Sequence, residues 1–279
     1  MTPALREAAV AIVEQHPDFT LDQINSELRV ALPTHAPIGR STLSNMLHGE
    51  LIVMKKLKDA PGQRNSEVAK QRRKEFAEWI MQLMNKELIF IDEAGINLWT
   101  RRTRGRARVG ERAVRVVGGT RGRNFTMTLA VSATNGLIHH DLISGGMNGE
   151  RFKEFLQEVV EHFPDDGVEK VLIFDNAPAH RSAGDVSLPQ TVTLEWLPPY
   201  SPMLNIVENC FSQWKASVKR GLAEVRDQLH DQAPQEREAT LCQLAEQSVS
   251  VITPEECGSY FRHLQRYLPA CLLKQNILM

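Results

Sequence analysis

Three acidic residues, each beside an apolar segment, constrain the fold of this chain more than any other feature. The run ELIFIDEAG carries Asp92 after an apolar stretch, and VLIFDNAPAH carries Asp175 after a second one. A third acid, Glu208, follows the Pro-rich corner LPPYSPMLN and falls in the first turn of an amphipathic helix. Short apolar runs bounded by turn residues are typical of buried strands. The pattern predicts two strand-end aspartates and one helix-borne glutamate at one edge of a sheet.

Three carboxylates in this arrangement indicate a two-metal phosphoryl-transfer site. Hard divalent cations prefer oxygen ligands, and two ions about 4 Å apart can stabilise both the attacking and the leaving oxygen of an in-line displacement. For Asp92 or Asp175 taken alone, a carboxylate that merely caps a turn is the simpler explanation. Glu208 has its own alternative: if Asn205 caps the helix, Glu208 falls at N3, where its side chain bonds back to the cap.

The order of the predicted elements is that of an α/β fold. Predicted strands span residues 88–92, 124–132, 137–144 and 171–175, with a further strand in TVTLEW. A helix beginning at Asn148 or Gly149 separates the third strand from the fourth. Three antiparallel strands followed by strands with helical crossovers predict a mixed sheet flanked by helices.

Taken together, the strings IDEAG, FDNAPAH and LPPYSPMLNIVE resemble the three motifs of the mariner superfamily of DDE transposases, most of all the branch of bacterial insertion sequences. The similarity covers about residues 85–220. It implies a ribonuclease-H-like catalytic domain in which Asp92, Asp175 and Glu208 are the catalytic, metal-binding triad. One departure is Ile206, because the family usually has proline after the Leu-Asn pair.

The resemblance also implies an activity. Two Mg²⁺ ions, replaceable by Mn²⁺, would support DNA cleavage followed by strand transfer, and a homodimer would hold the element ends and the target DNA. Two alternatives share the fold. A domesticated or truncated transposase-derived protein would bind DNA without transposition, and a host nuclease would cleave without recognising element ends.

Residues next to the triad have weaker assignments. Glu93 should point to the opposite face of the strand from Asp92, which makes it a poor substitute ligand. Asn176 is placed to orient Asp175 or a phosphate. His180 is a candidate for the outer shell of the metal site or for DNA contact, although a single histidine is more often structural.

Residues 1–50 predict a helix-turn-helix DNA-binding module of three short helices. The third helix should begin at Ser41 or Thr42. Candidate contacts to phosphates and base edges are Arg40, Ser41, Thr42, Ser44 and Asn45. The alternative is a three-helix cap without a ligand. Members of the mariner superfamily usually carry two such modules, and only one fits in this chain.

Basic residues are concentrated locally, although the net charge of the whole chain is -1. Residues 97–123 contain nine arginines and one acid, Glu111. Arg104, Arg106 and Arg108 are therefore candidates for a phosphate track beside the metals, and protection of an edge strand by charge is the alternative. Residues 51–84 predict a basic linker and a helix with Val68 on its apolar stripe. The basic face of this helix comprises Lys70, Arg72, Arg73 and Lys74.

The remaining observations exclude several protein classes. No apolar run reaches the roughly 18 residues of a membrane span, and the N-terminus lacks a signal-peptide pattern, so no membrane partner is expected. Four widely spaced cysteines make no zinc motif. We expect an intracellular protein, located in the nucleus if eukaryotic or in the cytoplasm if bacterial. Residues 221–279 predict a C-terminal helical extension.

Overall fold

The computed structural model describes residues 2–34, 38–55, 61–83, 85–100, 122–225, 228–229 and 232–277. The chain divides into two compact units, Met1–Pro61 and Gly62–Met279. The helices are α1 (Pro3–Gln15), α2 (Leu21–Ala31), α3 (Arg40–Gly49), α4 (Glu67–Ile80), α5 (Gly149–Glu161), α6 (Val207–Glu224), α7 (Pro234–Gln247), α8 (Pro254–Gln265) and α9 (Leu268–Leu272). The strands are β1 (Glu87–Ile96), β2 (Phe125–Ser132), β3 (Gly136–Ser144), β4 (Lys170–Phe174) and β5 (Val192–Trp196).

Helices α1 to α3 pack around a small apolar core in the first unit. Its fully buried members are Leu5, Ala9, Ile24, Leu28, Leu43, Met46 and Leu47. Thr20 begins α2 with a capping box, because its hydroxyl accepts from the Gln23 N–H while the Gln23 side chain accepts from the Thr20 N–H. Helix α3 begins at Arg40, earlier than predicted, because Gly39 serves as its N-cap without any side-chain bond.

Within the described part of the second unit, five strands form one sheet in the order β3-β2-β1-β4-β5. The pairs β3–β2 and β2–β1 are antiparallel, whereas β1–β4 and β4–β5 are parallel. The hairpin between β2 and β3 turns at Gly136, whose positive φ of 76° suits glycine. The predicted mixed sheet is therefore present.

Each face of this sheet is covered by helices. Leu88 and Phe90 face a large cluster that includes apolar residues of α4, α6, α7, α8 and α9. Ile89 and Ile91 face a second cluster built mainly by α5. This alternation follows from the two-residue period of a strand. The C-terminal helices complete the same core as the sheet, since Leu241, Cys257 and other residues of these helices are buried in the first cluster.

Three sequence-based expectations for this unit were wrong in detail. Strand β1 continues past Asp92 to Ile96, because it stays paired with β2 along its whole length. Strand β5 is an edge strand, so its side chains are only partly buried. Along α4, Val68 is 67% exposed although it was assigned to the apolar stripe.

Arg73 was also misplaced, because it is buried instead of lying on a solvated basic face. The cap at Ser66 fixes the start of α4, and Arg73 then lies on the same side as Phe76, Ala77 and Ile80. Its guanidinium donates to the Arg64 carbonyl (2.9 Å) and to Asn65 Oδ1 (3.1 Å), which satisfies the buried charge in part. None of the helices in the described ranges is long and apolar enough to cross a bilayer.

Candidate active site

The three predicted carboxylates are carried to one edge of the sheet by three elements. Asp92 lies in β1, Asp175 directly follows β4, and Glu208 is the second residue of α6. Phe90 is paired with Ile173 in the parallel ladder between β1 and β4. Asp92 and Asp175 each follow that pair by two residues, so they lie at the same level of neighbouring strands.

Asp92 is largely buried and is held by two hydrogen bonds. Its Oδ1 accepts from the Glu93 N–H (2.7 Å), and its Oδ2 accepts from Asn205 Nδ2 (2.8 Å). Burial raises the pKa of Asp92 to about 7, and the negative charges of Asp175, Glu93 and Glu208 add to this effect. With this pKa, the charged form of Asp92 is unfavourable at neutral pH unless a cation binds nearby.

Asn205 joins the Asp92 carboxylate to the start of α6. Its amide donates to Asp92, and its Oδ1 accepts from the Val207 N–H at 3.1 Å. The side chain is buried, so neither bond competes with bulk water. This one residue therefore sets the helix that carries Glu208 against the strand that carries Asp92.

Asp175 has a more exposed carboxylate, with 51% of its side chain accessible. Its Oδ1 accepts from the Ala177 N–H at 2.9 Å and lies 2.8 Å from His180 Nδ1. The hydrogen bond from His180 is the main reason why the pKa of Asp175 lies below its usual value; burial opposes the shift.

Glu208 is exposed, and its carboxylate makes no hydrogen bond or ion pair with any described residue. Helix α6 begins at Val207 with Ile206 as its N-cap, so Glu208 falls at N2. The capping alternative requires the Glu208 side chain to accept from the Asn205 N–H. It is wrong, because that N–H donates to the Pro202 carbonyl at 3.0 Å. Glu208 is thus available to a ligand.

His180 is buried and contacts both Glu93 of β1 and Asp175, which follows β4. Its Nδ1 is 3.1 Å from the Asp175 carbonyl as well as 2.8 Å from its carboxylate, and its Nε2 is 3.0 Å from both oxygens of Glu93. Burial alone would lower the pKa of His180, but its bonds to Asp175 and Glu93 prevail and raise it to about 10. The ring also stacks near Phe152, with centroids 4.2 Å apart.

These carboxylates lie in a region that a known family shares. The family model for DDE superfamily endonucleases matches residues 87–230, which include Asp92, Asp175 and Glu208. This chain is a DDE superfamily endonuclease. As such it is a metal-dependent enzyme that cleaves DNA. A search of curated protein sequences finds no significant match.

Solved structures of the Mos1 transposase are similar to this DDE endonuclease. The Mos1 strand transfer complex is 16% identical, with a TM-score of 0.70 over 98% of this chain and 79% of that chain. The Mos1 mariner paired end complex with Mn is 17% identical, with a TM-score of 0.68 over 97% of this chain and 79% of that chain. The predicted DDE superfamily membership and the ribonuclease-H-like fold are confirmed; the mariner-type assignment and the bacterial branch stay predictions.

The carboxylate edge of the DDE endonuclease fits a divalent cation. Its donors are hard oxygens, as Mg²⁺ and Mn²⁺ prefer, and mutual repulsion among the acids is part of what raises the pKa of Asp92. Among the residues that the structure describes, no three His, Cys, Asp or Glu side chains already stand close enough to hold one ion. Glu208 is exposed and without a described partner, so its carboxylate is available to a cation.

Two neighbours of the site were missed or misjudged from the sequence. Glu93 does point away from Asp92, as predicted, but it reaches Asp175 through His180. Lys215 lies two helical turns after Glu208, and the charges of Glu208 and Asp92 act on it; burial nevertheless lowers its pKa. The seven-residue spacing could have revealed Lys215, because residues two turns apart share a helix face. Nothing local in the sequence reveals the Glu93–His180 contact.

Asn176 occupies a different position from the one expected. Its Nδ2 donates to the Leu197 carbonyl at 2.6 Å, which joins the end of β4 to the residue after β5. This bond anchors the backbone that carries Asp175 and leaves the carboxylate itself to His180 and Ala177.

The DNA-contact candidates divide into two groups. In α3, Arg40, Ser41, Thr42, Ser44 and Asn45 are all exposed. Arg40 forms an ion pair with Asp22 of α2 through two short contacts. Of the second group, Arg104, Arg106 and Arg108 lie outside the described residues.

Proposed function

We propose that this DDE endonuclease is a transposase that cuts and joins DNA, with Asp92, Asp175 and Glu208 holding two Mg²⁺ ions that Mn²⁺ can replace. The observation that carries the proposal is the geometry of the sheet edge. Two aspartates lie at one level of adjacent strands, and Asn205 ties the helix bearing the third acid directly to the first aspartate. A structural role does not require three acids so arranged.

Each residue has a separate task in this mechanism. Asp92, Asp175 and Glu208 would hold the two ions, whose chemistry would be to activate water or a DNA 3′-OH and to stabilise the leaving oxygen of the phosphodiester. Asn205 keeps the Asp92 carboxylate in place by its 2.8 Å bond. Lys215, on the same helix face as Glu208, offers a cation to the negatively charged backbone that enters the site.

DNA is the substrate that this site and its relatives support. The similar Mos1 structures are described as a strand transfer complex and as paired-end complexes, one of them with the left transposon end. By analogy, the partners here are element ends and target DNA, held by a homodimer. The protein would act where the DNA of its cell lies, in a nucleus or in bacterial cytoplasm.

The first unit supplies the sequence-reading contacts in this proposal. The exposed residues Ser41, Thr42, Ser44 and Asn45 on α3 would face the DNA, and Arg40 would reach a phosphate by exchanging its partner Asp22. Arg104, Arg106 and Arg108 would provide a phosphate track. Asn176 would act indirectly, through the backbone next to Asp175.

The test is a cleavage and joining assay on labelled DNA. Purified protein should nick DNA with Mg²⁺ or Mn²⁺, and EDTA should stop the reaction, with Asp175→Asn as an inactive control. Joining of a pre-cleaved end to a target plasmid separates a transposase from a nuclease. Binding without nicking by the metal-loaded protein would instead favour the domesticated DNA-binding protein, and undiminished nicking in EDTA would contradict the metal site.

A further inference from the structure

The buried pair of Glu93 and His180 has no place in the reaction as described so far. His180 is only 1% exposed at its side chain, and Glu93 is 15% exposed. They come from elements 87 residues apart, since Glu93 lies in β1 and His180 in the 3-10 segment Pro178–Asp185 that follows Asp175. A buried pair of ionisable groups is costly unless its hydrogen bonds are satisfied.

The geometry of the imidazole is that of a two-sided donor. Nε2 lies 3.0 Å from each oxygen of Glu93, and Nδ1 lies 2.8 Å from Asp175 Oδ1 and 3.1 Å from the Asp175 carbonyl oxygen, which is also only an acceptor. A carboxylate only accepts hydrogen bonds, so both ring nitrogens must carry hydrogen here. The ring cannot turn freely, because it packs on Phe152 and on the edge of Phe174.

This arrangement decides which oxygen of Asp175 faces a ligand. Oδ1 is occupied by the Ala177 N–H and by His180 Nδ1. Oδ2 has no hydrogen bond to another described residue and is left to a cation. Fixing one oxygen of a carboxylate removes a rotation that metal binding would otherwise have to arrest, in the way that outer residues orient ligands in many metal sites.

We propose that Glu93 and His180 are positioning residues that act in series: Glu93 holds the His180 ring, and the ring holds Asp175 so that Oδ2 points to the metal. The proposal rests on the metal-binding role of Asp175 given under the proposed function. It assigns Glu93 no direct contact with metal, since both of its oxygens are engaged by His180 on the sheet face opposite Asp92.

The sign of the effect separates positioning from simple electrostatics. Replacing His180 by glutamine removes a positive charge next to the metal site, which by itself would tighten the binding of a cation. Loss of positioning weakens it instead, and removal of an outer residue of this kind typically costs about 10- to 100-fold in metal affinity. A weaker Mn²⁺ site in His180→Gln is therefore expected only if the ring positions Asp175.

The experiment is a double-mutant cycle on Mn²⁺ affinity in the full chain, with free Mn²⁺ measured by electron paramagnetic resonance. We expect His180→Gln to weaken binding about 10-fold or more, and Glu93→Gln to weaken it by a smaller factor. The variant Glu93→Gln/His180→Gln should differ little from His180→Gln alone, because without the ring Glu93 no longer positions Asp175 and contributes only the weak effect of its charge on Asp92.

The double variant also guards against misfolding. His180→Gln alone leaves Glu93 as a buried acid without its partner, whereas the double variant replaces the ionic pair by two neutral amides. Circular dichroism and melting temperature check the fold of each variant. The matched control is His139→Gln, which removes a His–Glu bond of 2.9 Å to Glu158 that does not involve the three acids, and it should leave Mn²⁺ affinity unchanged.

Two outcomes would overturn the proposal. Unchanged or tighter Mn²⁺ binding by a folded His180→Gln or double variant would make the pair purely structural. A large further loss from Glu93→Gln in the His180→Gln background would make Glu93 a direct ligand. Failure of the proposed function is recognised separately, because wild-type protein would then bind no Mn²⁺ or bind it as well after Asp175→Asn.

Discussion

The two aspartates of the site have nearly the same sequence setting and opposite electrostatics. In the sequence each ends an apolar run and has an alanine two residues later, yet the pKa of Asp92 is raised to about 7 whereas that of Asp175 is lowered. Asp92 is largely buried and near three other acids, and its hydrogen-bond donors are neutral amides. Asp175 is half exposed and bonds the charged ring of His180.

The difference teaches that the charge of Asp92 has no ion-pair partner among the described residues and would be stabilised by a metal ion, whereas the charge of Asp175 is already stabilised by His180. Without metal, the charge on the Asp92 side opposes folding, and the charge on the Asp175 side supports it. A divalent ion bound between them would relieve the first and leave the second almost unchanged. The following predictions test this contrast, from the largest expected effect to the smallest.

The largest effect should come from Glu208, the third acid of the proposed metal site. Glu208→Gln keeps size and hydrogen bonding but removes a charge that would hold a hard cation, so metal-dependent nicking should fall by orders of magnitude. Because Glu208 is exposed and lacks a described partner, the free energy of unfolding should change by only about 0.5 kcal/mol or less. Plasmid nicking and urea unfolding measure the two quantities. Near-normal nicking beside an inactive Asp175→Asn control would remove Glu208 from the site.

Neutralising the two aspartates should change stability in opposite directions in metal-free protein at pH 8. The raised pKa of Asp92 corresponds to a cost of at most about 4 kcal/mol for its charged form, and Asp92→Asn loses about 1 kcal/mol of hydrogen bonding, so a net gain is expected. Asp175→Asn removes a charge-assisted bond from His180 and should lose about 1 kcal/mol, an amount reduced by its exposure. Urea unfolding in EDTA measures both. If both substitutions changed the free energy of unfolding with the same sign, the opposite electrostatics of Asp92 and Asp175 would be contradicted.

The pH dependence of the wild type should report the Asp92 side between pH 5 and 6, because at higher pH His180, with a folded pKa of about 10, adds a slope of the same sign. The folded pKa of about 7 exceeds the ordinary value near 4, so the folded state binds more protons in this window and stability falls as pH rises. The Asp175 contribution has the opposite sign and is lost only at acidic pH, as that group is protonated. Denaturant titrations in EDTA at several pH values measure the slope. Asp92→Asn should flatten it, and a slope unchanged by this substitution would contradict the assignment.

The smallest effect should come from Ile206, the residue after Asn205, whose side chain donates a hydrogen bond to Asp92. Ile206 has φ -68°, which proline adopts, and Asn205 before it is extended at φ -120° and ψ 111°. Ile206→Pro should therefore preserve the Asn205 bonds and nicking. Loss of part of a buried apolar side chain should cost about 1 kcal/mol. Thermal unfolding and the nicking assay check this, and a strong loss of nicking would show that residue 206 controls Asn205.

Much of the catalytic unit could be predicted because its determinants are local. Apolar runs with turn residues at their ends defined the strands, and the caps at Ser66, Asn148 and Thr253 each bond the third residue of the following helix. The inward face of α5 follows from the sequence, because its apolar residues repeat at helical spacing. The boundary of β1 was not, since its last residues are held by β2 and not by their own composition.

The sequence by itself determined that Asp92 and Asp175 belong to apolar strands of one sheet and that Glu208 lies in the first turn of a helix. Tertiary structure alone decided their chemistry. The burial and neighbouring charges that raise the pKa of Asp92, the ring that joins Glu93 to Asp175 and the core position of Arg73 all depend on residues far apart in the chain. Strand and helix periods are properties of a few consecutive residues, whereas electric fields and burial depend on everything that packs nearby.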